Sequence, residues 1–201
     1  MVLLINSNGF IDLNSFGPVI VGVVAIFFTY LQFKKTLDAR KREEEIREID
    51  NKLNSFYGPL IQLRKKSYLL YSLFAKNQKR EIKNYRTLIY LLEGNKFSGN
   101  DEALLKEIIS IGERCSELVE NNAGLIDDEI LRSDLIPKMN THYLLLKLSH
   151  HGVLSEHHDE FKDFVFPSEI DSKLEERYKY LQERLKELND KYIYSIFKKM
   201  R

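Results

Sequence analysis

The hydrophobic pattern of this chain begins with one long apolar run and then changes to charged residues at helical spacing. Residues 17–33 (GPVIVGVVAIFFTYLQF) carry no charge, and Lys34 and Lys35 end the run. A membrane-spanning helix needs about 20 mostly apolar residues, with about 17 as the lower limit. The run therefore predicts a transmembrane helix over residues 17–33, preceded by a short extracytoplasmic tail, residues 1–16. Its membrane-facing side chains are predicted to be Val19, Ile20, Val23, Val24, Ile26, Phe27, Phe28 and Leu31.

The distribution of basic residues around this run predicts an orientation. No Lys or Arg lies in residues 1–16, whereas Lys34, Lys35 and Arg40 follow the run closely. The positive-inside rule then places the N-terminus outside and the C-terminal domain in the cytoplasm of a bacterial inner (plasma) membrane, in a single-pass arrangement. Two alternatives stay open: the buried central helix of a soluble bundle, and a cleaved signal, which normally has a basic region before its apolar stretch.

The rest of the chain has the periodicity of helices. Residues 34–57 contain no helix breaker and predict a charged helical stalk, and residues 58–201 predict a cytoplasmic helical domain. Ile46, Ile49, Leu53 and Phe56 follow the alternating spacing of a heptad seam, which indicates either a coiled coil or an amphipathic helix packed on its own domain. The predicted fold is all-α: one N-terminal transmembrane helix that continues into a bundle of about five or six helices.

Glycine, proline and asparagine divide the predicted domain into helices. Gly58-Pro59 predicts a kink or the start of a new helix, and a further break is expected near Asn77. Loops are predicted at residues 94–100 and 121–128, and Pro137 either bends the next helix or lies in its first turn. The last helix begins after Pro167. It has one apolar stripe with spacing of four and three residues: Leu174, Tyr178, Leu181, Leu185, Leu188 and Tyr192.

Charge is divided between neighbouring segments, although the net charge of the whole chain is only +1. Residues 62–96 carry nine basic and two acidic residues, and residues 101–134 carry ten acidic and three basic ones. The two sets either complement each other across adjacent helices or form a basic face for a partner. The candidates for binding a partner or a phosphate are Arg64, Lys65, Lys66, Lys79, Arg80, Lys83 and Arg86. Because nucleic-acid-binding domains are strongly basic, nucleic acid is an unlikely partner.

Metal-ligating residue types are concentrated in one region. The candidates are the five histidines of the chain, His142, His150, His151, His157 and His158. Their spacing does not by itself predict convergence on a metal, and the alternative is a solvated helix end with favourable imidazolium charge. The chain has no Walker loop, dinucleotide-binding glycine pattern or nucleophile elbow. We therefore predict a non-enzymatic protein without a cofactor, in which Cys115 is a small buried side chain.

A short motif follows the predicted stalk. Asn54-Ser55-Phe56-Tyr57-Gly58-Pro59-Leu60 resembles the FYGPL-type segment of a group of largely uncharacterised bacterial single-span membrane proteins with a cytoplasmic helical domain. The resemblance implies the architecture and no activity. By analogy with anchored defence proteins, the expected function is a membrane-anchored effector or sensor, possibly of the anti-phage type. The alternatives are a membrane-tethered scaffold or adaptor for a cytoplasmic partner, and a metal- or nucleotide-dependent enzyme. The expected partners are the lipid bilayer and a protein partner or further copies of the chain, bound through the stalk and the C-terminal helix.

Overall fold

The helices predicted from the sequence are present throughout the part of the chain that the structure describes. A computed structural model describes residues 17–78, 86–154, 158–161 and 164–199. Within these ranges there is no β-strand, so the all-α prediction is confirmed. The described residues form six α-helices: α1 (Gly17–Lys52), α2 (Gly58–Asn77), α3 (Thr87–Leu92), α4 (Gly99–Asn121), α5 (Ile136–His150) and α6 (Ile170–Lys199).

The prediction of a transmembrane helix is wrong. Among the described residues no helix is both long enough and apolar enough to cross a membrane. The uncharged part of α1, residues 17–33, rises only about 25 Å at 1.5 Å per residue, which is less than the roughly 30 Å of a bilayer core. Lys34 and Lys35 then continue the same helix. The single-pass inner-membrane localisation and the membrane-facing role of the apolar side chains therefore lose their basis.

The chain divides into two compact units, with the boundary between Ile46 and Arg47. In the unit that ends at Ile46, the described side chains between residues 21 and 37 are almost all exposed. The unit that begins at Arg47 contains the hydrophobic core. Residues of every helix from α2 to α6 contribute to this core.

The heptad seam of the predicted stalk belongs to the core of the second unit. Ile49, Leu53 and Phe56 are buried there, as is Leu60 one turn later. The seam is therefore the buried face of an amphipathic helix packed on its own domain, which was one of the two interpretations of the sequence. The α6 stripe is buried as well, at Leu174, Leu181 and Leu188, and α6 contacts both α2 and residues 53–57.

Gly58-Pro59 marks a change of helix type. Residues Leu53–Tyr57 form a π-helical turn that ends where Gly58 donates its N–H to the carbonyl of Leu53, and α2 then begins. Pro59 lies in the first turn of α2, where its missing N–H has no intrahelical partner to lose. A second π-helical turn, Leu131–Leu135, precedes α5 in the same way and places Pro137 in its first turn. The helix break predicted near Asn77 is confirmed by the end of α2.

Candidate functional site

A buried arginine joins three helices of the second unit. Arg64 on α2 is only 5% exposed, and its Nε and Nη2 donate to the two carboxylate oxygens of Asp171 on α6, both at 2.9 Å. Its Nη1 donates to the hydroxyl of Tyr143 on α5, and its guanidinium carbon lies 4.0 Å from the centre of the Phe166 ring. Burial acts to lower the pKa of Arg64, but Tyr143 and Asp171 outweigh it and the pKa is raised. The charge of Arg64 is therefore balanced by an ion pair within the chain.

Tyr143 is held in place by a close approach of α4 and α5. The aromatic ring lies against Gly112, where an added Cβ would be 2.2 Å from Cδ1 of the ring. The hydroxyl of Ser67 lies 3.0 Å from that of Tyr143. Cys115, one helical turn after Gly112, is buried as predicted, and burial raises the pKa of its thiol to about 11. The arrangement is a satisfied polar centre with an unreactive thiol beside it.

A second polar centre forms around Asp127 in the loop after α4. Its carboxylate accepts hydrogen bonds from Tyr57 Oη at 2.8 Å and from Arg177 Nε and Nη2 at 3.0 and 2.8 Å. Lys52 Nζ lies 2.9 Å from Oδ2 of Asp127, the oxygen that also accepts from Arg177 Nη2. Burial opposes ionisation of Asp127, but the hydrogen bonds from Arg177, Lys52 and Tyr57 outweigh burial and lower the pKa of the carboxyl. Asp127 thus ties the loop to the end of α1, the π-helical turn and α6.

A polar groove lies between α2 and α6. Its volume is about 330 Å³. From α2 it is lined by Gly58, Ile61, Gln62 and Lys65, and from α6 by Glu175, Tyr178, Lys179 and Gln182. Lys65 Nζ and a carboxylate oxygen of Glu175 form an ion pair of 3.0 Å across it. Gln62, Lys179 and Gln182 also line this groove and have no hydrogen bond or ion pair with a described residue.

The predicted basic set is distributed over several environments. Arg64 is buried, Lys65 lines the groove, Lys66 forms a 2.7 Å ion pair with Glu107 on α4, and Arg86 is exposed. Lys79, Arg80 and Lys83 lie outside the described residues. The Lys66–Glu107 pair links the basic segment to the acidic one, in line with complementary neighbouring helices. The phosphate-binding role of the set stays a prediction.

The candidate metal ligands are likewise separated. The Nδ1–H of His142 donates to the carbonyl of Phe164 at 2.9 Å, and burial lowers the pKa of the imidazole to about 4. The rings of His150 and His151 lie 5.6 Å apart at the end of α5. His157 is outside the described residues, and His158 lies in a short 3₁₀ turn, His158–Phe161. In the described part of the chain no three His, Cys, Asp or Glu side chains are grouped so that they could hold a metal ion.

Sequence reasoning did not find Asp127, Tyr57 and Arg177 as partners. The three residues are up to 120 positions apart in the sequence, and no single motif contains more than one of them. The available signals were the tyrosine of the FYGPL-type segment and the predicted loop at residues 121–128, which contains Asp127. Comparison with protein-family models, curated proteins and solved structures found no match to this chain.

Proposed function

We propose that this protein is a non-catalytic assembly protein, whose copies associate through the exposed apolar part of α1. The observation that supports the proposal is the exposure of this segment, residues 21–37, in which large apolar side chains lie on the helix surface. Most of them are about 60% exposed, with extremes of 38% at Leu37 and 72% at Ile26. Monomeric proteins rarely expose a contiguous apolar surface of this kind, because covering it is favourable.

The spacing of these residues fits a second copy of the same helix. The most regular stripe alternates three and four residues, the pattern of a heptad seam: Val23, Ile26, Tyr30, Phe33 and Leu37. The hydroxyls of Thr29 and Thr36 are bonded to carbonyls of their own helix, so they can enter an apolar interface without losing a partner. The segment is therefore compatible with close packing of helices.

The free energy gained by burying these apolar side chains favours association. Full burial of one large apolar side chain contributes about 1.5–3 kcal/mol, so a side chain that is about 60% exposed contributes roughly 1–2 kcal/mol. Five stripe positions on each of two chains then contribute roughly 10–20 kcal/mol, against an association cost of about 4–15 kcal/mol. Phe28 lies on the opposite side of the helix and is also exposed. Because one partner helix leaves it uncovered, the assembly should be larger than a dimer.

The test is sedimentation equilibrium of the full chain, compared with a variant that carries Ile26→Asp and Phe33→Asp. We expect a discrete mass of at least three times 23.8 kDa for the wild type, and the monomer mass for the variant with unchanged helical circular dichroism. Lys41→Asp is the matched control, because it places the same acid on an exposed polar part of α1 and should leave the mass unchanged.

Three outcomes would contradict the proposal. A wild-type chain that stays monomeric at high micromolar concentration removes its basis. The same holds if the double variant assembles as the wild type does. A broad, irreversible aggregate in place of a discrete mass would mean that the segment does not specify an assembly.

A further inference from the structure

The groove between α2 and α6 has the size and the chemistry of a small-ligand site. Its volume of about 330 Å³ is within the range of pockets that bind small molecules, about 300–1,000 Å³. Arg64 pairs with Asp171, whereas Gly58, six residues earlier on α2, lies against Tyr178, seven residues later on α6, so the two helices run in opposite directions along the groove. At one end of the groove the ring of Tyr178 lies close to Gly58, with Cε2 of the ring 3.9 Å from the position that a Cβ would take.

The groove carries positive charge that its own carboxylate only partly neutralises. Lys65 is paired with Glu175, whereas Lys179, one helical turn further along α6, has no ion pair with any described residue. The hydrogen bond from Lys65 and the charge of Lys179 both lower the pKa of Glu175, so the carboxylate is ionised. Two ammonium groups and one carboxylate leave a net charge of one positive unit, which suits an anion.

The remaining lining groups suit a flat polar ring. Gln62 and Gln182 face the groove from opposite helices, and neither amide has a hydrogen bond to another described residue. A glutamine amide can donate to and accept from the edge of a nucleobase, and a tyrosine ring offers a face on which the base stacks. The groove lining holds both: two amides with free hydrogen-bonding capacity, and the ring of Tyr178.

Other ligand classes fit less well. A divalent cation would meet two lysines and a single carboxylate, whereas metal sites need several converging oxygen or nitrogen ligands. An apolar molecule would find one aliphatic side chain, Ile61, in the lining. A polymer needs a groove longer than this one. The combination of cation, amides and aromatic ring in a small volume is that of a site for a phosphorylated nucleoside.

We propose that this groove binds a nucleoside monophosphate, with the phosphate at Lys179 and Lys65 and the base against Tyr178 and the two glutamines. The phosphate then competes with Glu175 for Lys65. This competition gives opposite effects for two substitutions on the same helix. Lys179→Met should weaken binding, and Glu175→Gln should strengthen it, each by about three- to tenfold.

The experiment is a calorimetric titration of the full chain with AMP, with adenosine and inorganic phosphate as separate arms. We expect AMP to bind more tightly than either part, and Tyr178→Leu to remove this advantage over phosphate. Lys186→Met is the matched control, because Lys186 is an exposed lysine of α6 outside the groove lining. Helical circular dichroism of each variant shows whether α6 is intact.

The results that would overturn the proposal are distinct. If AMP does not bind at millimolar concentration, the groove is not a nucleotide site. If AMP binds no more tightly than inorganic phosphate, the groove is a simple anion site and the base-recognition part is wrong. If Lys179→Met and Lys186→Met have equal effects, or Glu175→Gln weakens binding, the ligand lies elsewhere.

Discussion

The carboxylate of Asp127 offers the sharpest test of what holds the second unit together. Asp127→Asn removes its charge and keeps its shape. Tyr57, which is fully buried, can still donate to the amide oxygen, but Lys52 and Arg177 lose their shared counter-ion. Because both cations lie at the same carboxylate, the substitution leaves two like charges close together.

The size of the expected destabilisation depends on how exposed Asp127, Lys52 and Arg177 are. The side chain of Asp127 is 22% exposed, and those of Lys52 and Arg177 are 12% and 24% exposed. A hydrogen bond to a charged group contributes about 1.5–3 kcal/mol when it is buried, and an exposed ion pair about 0.2–1 kcal/mol. Since these pairs are intermediate, we expect Asp127→Asn to lower the free energy of unfolding by about 2–4 kcal/mol at neutral pH.

The adjacent residue supplies a matched control. Asp128 Oδ1 accepts a hydrogen bond of 3.0 Å from the backbone N–H of Leu131, three residues on, as a helix N-cap does. Asn is an equally good N-cap residue, so Asp128→Asn should change stability by less than about 0.5 kcal/mol. The measurement is urea unfolding followed by circular dichroism at one protein concentration, with the slope m checked for constancy.

The pH dependence separates the charge of Asp127 from its packing. Its pKa in the folded protein is lowered, so its contribution is fully present above the ordinary carboxyl value of 3.8 and is lost as the pH falls toward the folded value. The difference between wild type and Asp127→Asn should therefore shrink below about pH 4. The reasoning is refuted if the two Asn variants are equally stable at pH 7, or if the Asp127→Asn difference is the same at pH 7 and pH 3.

Three further predictions concern the centre around Tyr143. Gly112→Ala should destabilise the protein by about 2–3 kcal/mol, because its Cβ would lie 2.2 Å from the ring of Tyr143, whereas Gly124→Ala has open space and should change stability by less than about 0.5 kcal/mol; thermal unfolding checks both. The pKa of Cys115 is raised to about 11 by burial, so at pH 8 a thiol reagent should label it only after unfolding, and rapid labelling of the native protein would contradict this. Burial lowers the pKa of His142 to about 4, so stability should fall between about pH 6.5 and pH 4, and His142→Gln should remove that loss.

The parts of the fold that the sequence predicts well depend on local periodicity. The buried face of α6 could be read from the regular spacing of Leu174, Leu181 and Leu188, because residues three and four apart share one side of a helix. The end of α2 at Asn77 and the place of Pro137 in the first turn of α5 follow from backbone preferences of single residues. Such signals need no knowledge of the tertiary structure.

The contacts that position the polar centres could not be predicted in the same way. Arg64 lies beside Lys65 and Lys66 in one basic run, and all three were candidates for the same role. Only packing distinguishes them, because α2 turns Arg64 toward Asp171, 107 positions later, and leaves Lys65 and Lys66 exposed. The membrane prediction went wrong for a related reason. Residues 17–33 are apolar, but their number lies at the lower limit for a membrane-spanning helix. At this length the hydrophobic pattern alone does not distinguish a spanning helix from another apolar helix.

The two ion-pair centres bear directly on the proposed ligand groove. Asp171 and Arg177 are six residues apart on α6. Glu175 lies between them, and Lys179 lies two residues after Arg177. Arg64 fixes the first position and Asp127 the second, so this part of α6 is held in both rotation and register. A helix that is held in this way has little backbone freedom left to lose when a ligand binds, which strengthens binding for the same contacts. Asp127→Asn, which touches no lining residue of the groove, should therefore weaken AMP binding only where it also loosens α6.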